Sequence, residues 1–290
     1  VTLKEGLTVL RDMYFREHAG IYGKCSRLEA VTKLRKTQWV QDSGPKAHSV
    51  RPDYIEHKGD FEVSLFTTTV YEKGAEIMRM IQEMIEPDIE KFSKFLAENY
   101  LSGPIRSSTI EEFVDCFDLE SNLPSVWFNK EQFMKWFLVK GTPVVSINWR
   151  NLGENCYEII LKQSTTNGFG DQEETEMLIP TRISFFNVRG EELNNYEIIE
   201  SSGLHYYANK DLFVLNKSEG RAKFHFQANT NTIFPSVNRG FTAPIKLDYQ
   251  MTYEASFMAK YESDQMSRFD AFQFLIRSAI IEHYNDKNVE

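Results

Sequence analysis

Long apolar runs are missing from this sequence. No stretch approaches the ~18 consecutive apolar residues of a spanning helix, so the chain is expected to have no membrane segment and no membrane partner. No signal-peptide pattern opens the chain either. Cysteine is scarce, and Cys25, Cys116 and Cys156 are odd in number and lack the spacing of a metal or redox motif. That argues against a disulfide framework and for a reducing compartment, with the cytoplasm as the expected location. Positive charge is short as well. Against 42 Asp+Glu stand 33 Lys+Arg, a formal net charge of −9, and nucleic acid is excluded as a partner for want of a basic footprint. The six histidines show no local ligand spacing, and internal repeats and low-complexity tracts are absent.

What is present is an ordinary globular composition, 41% hydrophobic and 26% charged over 290 residues, long enough for more than one core. Up to about residue 142 the apolar spacing is helical. Leu3, Leu7 and Leu10 share one side of a first helix that ends near Gly20, and Glu5 and Asp12, close to two turns apart, can point the same way. Ser26 with Glu29 reads as a capping box ahead of Leu28, Val31 and Leu34, and Lys33, Arg35 and Lys36 as a solvated basic face. A turn-rich connection from Gln41 to Phe66 leads to a periodic run, Ile77, Met78, Ile81, Met84 and Ile85, with one buried face and with Tyr71 at its mouth. Gly74 and Ala75 at the start of that run leave room for another backbone. Three more helices follow, opened by Pro87, by Ser108 with Glu111, and by Asn129 with Gln132.

After Pro143 the period changes to two. Val145, Ile147 and Trp149, then Tyr157, Ile159 and Leu161, read as a hairpin across a turn at Asn151 to Asn155. Runs at 177–188, 196–200, 212–216, 222–228 and 245–249 bring the expectation to about seven strands and a β-sandwich, with Phe224 and Phe226 inside, His225 outside, and the acidic stretch 170–176 as a mobile loop tip. From Thr252 the spacing is helical again through Phe257, Met258, Phe269, Phe272, Ile276 and Ile280.

The opening Leu3-Lys4-Glu5-Gly6-Leu7-Thr8 and the segment Thr69-Val70-Tyr71-Glu72-Lys73-Gly74-Ala75-Glu76 together resemble the zinc metallo-aminopeptidases of the aminopeptidase N family, in its bacterial-like branch. Further similar segments occur in family order: Ala47-His48-Ser49-Val50-Arg51-Pro52-Asp53, Phe133 to Trp136 with Gly141-Thr142-Pro143, Ala243 to Leu247, and Ser267-Arg268-Phe269-Asp270-Ala271. Each is weak alone, and the ordered set spans the chain. The resemblance implies a multidomain α and β architecture. Residues 1–142 would be the helical half of a thermolysin-like catalytic domain, 143–250 a β-sandwich, and 251–290 the first helices of an α-helical, superhelical domain. It implies zinc as cofactor, Glu5 as a zinc ligand, Tyr71 as the stabiliser of the transition-state oxyanion, and peptides with a free N-terminus as substrates. Asp12, on the Glu5 face, is a candidate second-layer partner for a metal-bound histidine, the alternative being a solvent-facing helix carboxylate beside Arg11.

One departure stands out. No His-Glu-x-x-His occurs, nor a Gly-Ala-Met-Glu-Asn type segment for the substrate's amino group. The chain therefore reads as a fragment that begins after the histidine motif. Such a fragment is expected to be inactive by itself and to self-associate through surface that the intact protein covers. The alternative is a non-catalytic interaction scaffold of the same architecture.

Overall fold

A computed structural model describes residues 1–20, 25–51, 66–103, 107–120, 127–166, 172–174, 176–208, 211–227, 232–248 and 252–287. Most of the Gln41 to Phe66 connection, including Pro52 and His57, lies outside the described residues, as do Pro104, Gly170 and Tyr249.

The helical part runs α1 (Thr2–His18), α2 (Ser26–Asp42), a π-helical turn (Thr69–Lys73) continuing into α3 (Gly74–Ile85), then α4 (Ile89–Asn99), α5 (Ile110–Glu120) and α6 (Lys130–Leu138). α3 is its centre. Ile77, Met78, Met80, Ile81 and Met84 are all but fully buried, each stabilising the fold by about 1.5–3 kcal/mol. The expected single buried face understates this helix, because Glu76, Gln82 and Glu83 are buried too. Each has a partner that periodicity cannot see: Arg27 holds Glu76, the Tyr14 hydroxyl reaches Gln82, and Arg79 and Arg182 flank Glu83. Buried polar groups persist when they are bonded in this way.

Several helix starts differ from the expected ones. α2 has Cys25 at its N-cap with no side-chain cap, so Ser26 and Glu29 form no capping box. α4 is capped by Asp88, whose carboxylate accepts from the backbone of Glu90 and Lys91, and Pro87 lies outside the helix. At α5 the box is one residue later than read: Thr109 Oγ1 accepts from Glu112 N at 3.1 Å while Glu112 Oε2 accepts from Thr109 N at 3.1 Å. α6 starts as expected, with Asn129 accepting from Gln132 N. Trp136 is core, its indole donating to the Leu178 carbonyl at 2.8 Å.

Strands begin at Pro143. β1 (Pro143–Gly153) and β2 (Cys156–Thr166) form the expected hairpin. Glu154 and Asn155, at φ 51° and 60°, supply the two positive dihedrals that a tight hairpin turn needs. The larger sheet has the order β11-β1-β2-β9-β6, where β6 is Tyr196–Ser202, β9 Glu219–Phe226 and β11 Lys246–Asp248. β3 (Gln172–Glu174) pairs with β2, so this part of the acidic stretch is strand and not loop tip. Facing it are β4-β8-β7 (Ile179–Thr181, Leu212–Leu215, Leu204–Tyr207) and β5-β10 (Ile183–Asn187, Ile233–Val237). The single run expected at 177–188 splits at Arg182, whose carbonyl accepts from Arg239 N and whose side chain leaves the sheet for Glu83. β10 escaped the sequence reading because it contains Pro235, and it pairs only with β5, where a proline is tolerated. Phe224 and Phe226 are buried against Phe185, with ring centroids 4.7 and 5.2 Å away, and His225 is on the more open side.

Two helices close the described chain, α7 (Thr252–Tyr261) and α8 (Gln265–Lys287). Phe257 packs on Phe234 with centroids 3.9 Å apart. Phe272, Ile276 and Ile280 are 50%, 52% and 63% exposed along one stripe of α8. None of the three cysteines is in a disulfide. Among the described residues no helix is long and apolar enough to cross a membrane.

Candidate functional site

Glu5 sits in the first turn of α1, where the positive end of the helix favours a carboxylate. The next residue, Gly6, decides what comes near it. A Cβ on Gly6 would lie 2.9 Å from the carbonyl carbon of Gly74 and 3.1 Å from its oxygen. The backbone expected to approach Gly74 and Ala75 is therefore α1, and only glycine permits that approach. The crossing brings the Tyr71 phenol near enough to the Glu5 carboxylate to feel its charge, although the two are far apart in the chain.

Tyr71 is not before a helix but inside one. Thr69–Lys73 is a single π-helical turn running unbroken into α3, and such widened turns recur at functional sites. Burial, and then the Glu5 carboxylate, push the Tyr71 phenol above its ordinary value, so it is a proton donor at neutral pH. Lys4, largely exposed, pairs with Glu5 at 2.9 Å, and Glu5 holds that ammonium up. Glu72 pairs with Lys33 at 2.5 Å. Asp12, further along α1, is exposed and paired with Arg16 at 3.0 Å.

Residues 47–51 strap this corner together. Thr2 Oγ1 donates to the Val50 carbonyl at 2.9 Å, Arg51 N donates to the Phe137 carbonyl at 2.8 Å, and Arg51 pairs with Glu111. His48 has both ring nitrogens engaged, with Ser49 O at 2.7 Å and Thr67 Oγ1 at 2.9 Å, which is a structural role. Arg35, read as part of a solvated basic face, is instead half-buried on Asp270 of α8 at 2.5 and 2.9 Å. Sequence reasoning also passed over Lys73 and Asp42. Lys73 Nζ donates to Asp42 Oδ2 at 3.1 Å and to the Gly141 carbonyl at 2.7 Å, and no local spacing announces partners so distant.

Among the described residues no three His, Cys, Asp or Glu stand together as a metal site. A cleft of about 420 Å³ opens elsewhere, on the sandwich, beside Tyr196, Tyr206, Asp211 and Arg239. Its charges are largely engaged, since Tyr206 donates to Asp211 at 3.0 Å and Arg239 pairs with Glu192 at 2.8 Å. Glu5 and Tyr71, a carboxylate and a protonated phenol, lie near one another where α1 meets the π-helical turn.

Residues 1–141 match the peptidase family M1 domain, and residues 141–250 match a domain of unknown function, DUF3458, with an Ig-like fold. The chain is 30% identical over 282 residues to an aminopeptidase N of Haemophilus influenzae, covering 95% of this chain and 30% of that protein. It is 28% identical over 282 residues to an aminopeptidase N of Escherichia coli, covering 97% of this chain and again 30% of the relative. The chain thus spans under a third of the length of these relatives. In fold it is similar to the crystal structure of Legionella pneumophila aminopeptidase A in complex with aspartic acid, with a TM-score of 0.69 and 22% identity over 98% of this chain and 28% of that one. An M1 region, an Ig-like sheet domain and closing helices thus occur in the order read from the sequence: residues 1–141 belong to the peptidase M1 family, and the chain as a whole is similar to part of proteins of the aminopeptidase N type.

Proposed function

We propose that this chain supplies part of the catalytic unit of a zinc-dependent aminopeptidase, acting in the cytoplasm on peptides with a free N-terminus. Its parts divide at about residues 142 and 250. The observation that carries this reading is the backbone contact of Gly6 with Gly74, which sets Glu5 of α1 near Tyr71 of the π-helical turn; their residue types suit acyl transfer, and nothing local forces them together.

A zinc hydrolase site needs three protein ligands and an open position. Glu5 offers one, and the described residues do not complete such a site. Glu5 serves as one ligand of the intact enzyme's zinc, with the others supplied from outside the described residues. Asp12 is the partner for the ring N–H of a metal-bound histidine. The chain alone neither holds zinc tightly nor hydrolyses peptides.

Tyr71 has the clearer task. The carbonyl oxygen of a scissile amide gains negative charge as it is attacked, and a pre-placed donor at that oxygen is worth about 2.7–4 kcal/mol. The Tyr71 phenol, kept protonated by burial and by the nearby Glu5 carboxylate, is the donor proposed for that oxygen. Because the charge exists only in the transition state, the contribution belongs in kcat.

Metal analysis tests the ligand assignment. In the intact enzyme, Glu5→Ala is expected to reduce zinc far below one equivalent, and the 290-residue chain is expected to emerge from dialysis without stoichiometric zinc. Full zinc occupancy in the Glu5→Ala enzyme would contradict the assignment.

A further inference from the structure

We propose that the buried pair Lys73–Asp42 is a positioning device for the Tyr71 phenol, an inference that rests on the role proposed for Tyr71. Lys73 belongs to the same π-helical turn as Tyr71. Its ammonium is buried with Asp42, the side chains being 2% and 0% exposed. Nζ donates to Asp42 Oδ2 and to the Gly141 carbonyl, and Thr142 Oγ1 donates to the same Oδ2 at 3.0 Å. One carboxylate oxygen thereby ties three pieces of chain together: the π-helical turn, the last residue of α2, and the approach to β1. Asp42 Oδ1 is buried with no hydrogen-bond partner.

A buried ion pair is weak support for stability, because apolar residues of similar volume commonly do as well. What it supplies is direction, since its bonds hold only in one geometry. That matters most in a π-helical turn, whose width departs from the ordinary helical ladder and whose shape therefore depends on what surrounds it. Two further ties flank Tyr71 on the α2 side. Thr68 Oγ1 donates to Gln41 Oε1 at 2.8 Å, and Glu72 pairs with Lys33. α1 closes the other side at Gly6. The turn is thus clamped between two helices, and Lys73 is its one fully buried ionic anchor among the described residues.

The test is the double variant Lys73→Met/Asp42→Asn, which removes both charges at once and leaves no unpaired ion in the core. In the intact enzyme kcat is expected to fall about 10- to 100-fold, the scale of a catalytic group displaced by about an ångström, with KM, zinc content and circular dichroism unchanged. If the pair acts through Tyr71, adding Tyr71→Phe to the double variant costs much less than it costs in the parent enzyme. In the 290-residue chain, amide exchange over 69–73 is expected to quicken while the sandwich stays protected. Unchanged kcat, or losses that multiply in full with Tyr71→Phe, would overturn the inference. A silent Tyr71→Phe in the parent enzyme removes the Tyr71 role and this inference with it, whereas a damaging Tyr71→Phe beside a silent double variant sinks the positioning role alone. Should the double variant not fold, Thr142→Val removes one donor and keeps the ion pair. A smaller fall in kcat at constant KM is then expected, and an unchanged kcat overturns the proposal.

Discussion

Gly6 shows how a residue without a side chain can decide a site. Its Cα stands where α1 touches the backbone of Gly74, and a methyl group there meets backbone that cannot rotate away. Gly6→Ala is expected to destabilise the chain by about 1–3 kcal/mol, the usual cost of overpacking. Denaturant unfolding measures it, and an unchanged midpoint would mean that the contact is looser than described. At this scale the sequence was legible where a motif spoke and silent elsewhere. Glu5 and Tyr71 were singled out through family-like segments, and the small pair Gly74-Ala75 pointed to a close neighbour without saying which. Lys73 and Asp42 could not be found, because a lysine and an aspartate on different helices carry no spacing. Arg35 was misread for the same reason, since its partner Asp270 lies in α8.

Elements were more legible than their ends. Helical periodicity located α1 to α6, and alternation located most of the larger sheet, because one-sided burial imposes those periods directly. Caps depend on single dihedrals, and there the reading slipped. At α5 the reciprocal pair is Thr109 and Glu112, whereas Ser26 caps nothing. Thr109→Ala is therefore expected to cost about 1 kcal/mol, and Ser26→Ala to have no capping cost. Thermal melts of the two variants decide it, and equal losses would contradict the cap assignment. Of the strands that were missed, β10 carries Pro235, and β3 and β7 run for only three and four residues, too few to show a period. π-helical geometry at Thr69–Lys73 is likewise invisible to spacing, since a single widened turn shifts the apolar register by one residue only.

Across the molecule, arginines join the helical part to the sandwich region. Arg27 holds Glu76 at 2.6 and 2.8 Å and donates to the Phe241 carbonyl at 3.0 Å, and Arg182 crosses from the sandwich to Glu83 at 2.5 Å. Burial alone would raise the Glu83 carboxyl, but Arg79 and Arg182 outweigh it and hold the group below its ordinary value. A carboxylate depressed in the folded state contributes stability above its unfolded pKa, and that contribution is lost as pH falls through the folded one. Glu83→Gln is thus expected to cost about 1–3 kcal/mol at neutral pH, with the gap closing below about pH 4 as the native carboxyl protonates. A gap that is constant with pH would contradict this. The stripe of Phe272, Ile276 and Ile280 on α8 predicts self-association of the 290-residue chain, which Ile276→Lys with Ile280→Lys should abolish in sedimentation velocity. A clean monomer at high concentration before substitution would contradict it. The order of the parts was legible from the change of period at Pro143 and at Thr252, while the ties between them were not, because they are made by charges and not by pattern. The proposed role of Tyr71 as an oxyanion donor near Glu5 is tested most directly by kcat of Tyr71→Phe in the intact enzyme. A fall of roughly 10²–10³ with KM and melting temperature nearly unchanged is predicted. A kcat close to that of the parent enzyme would contradict it.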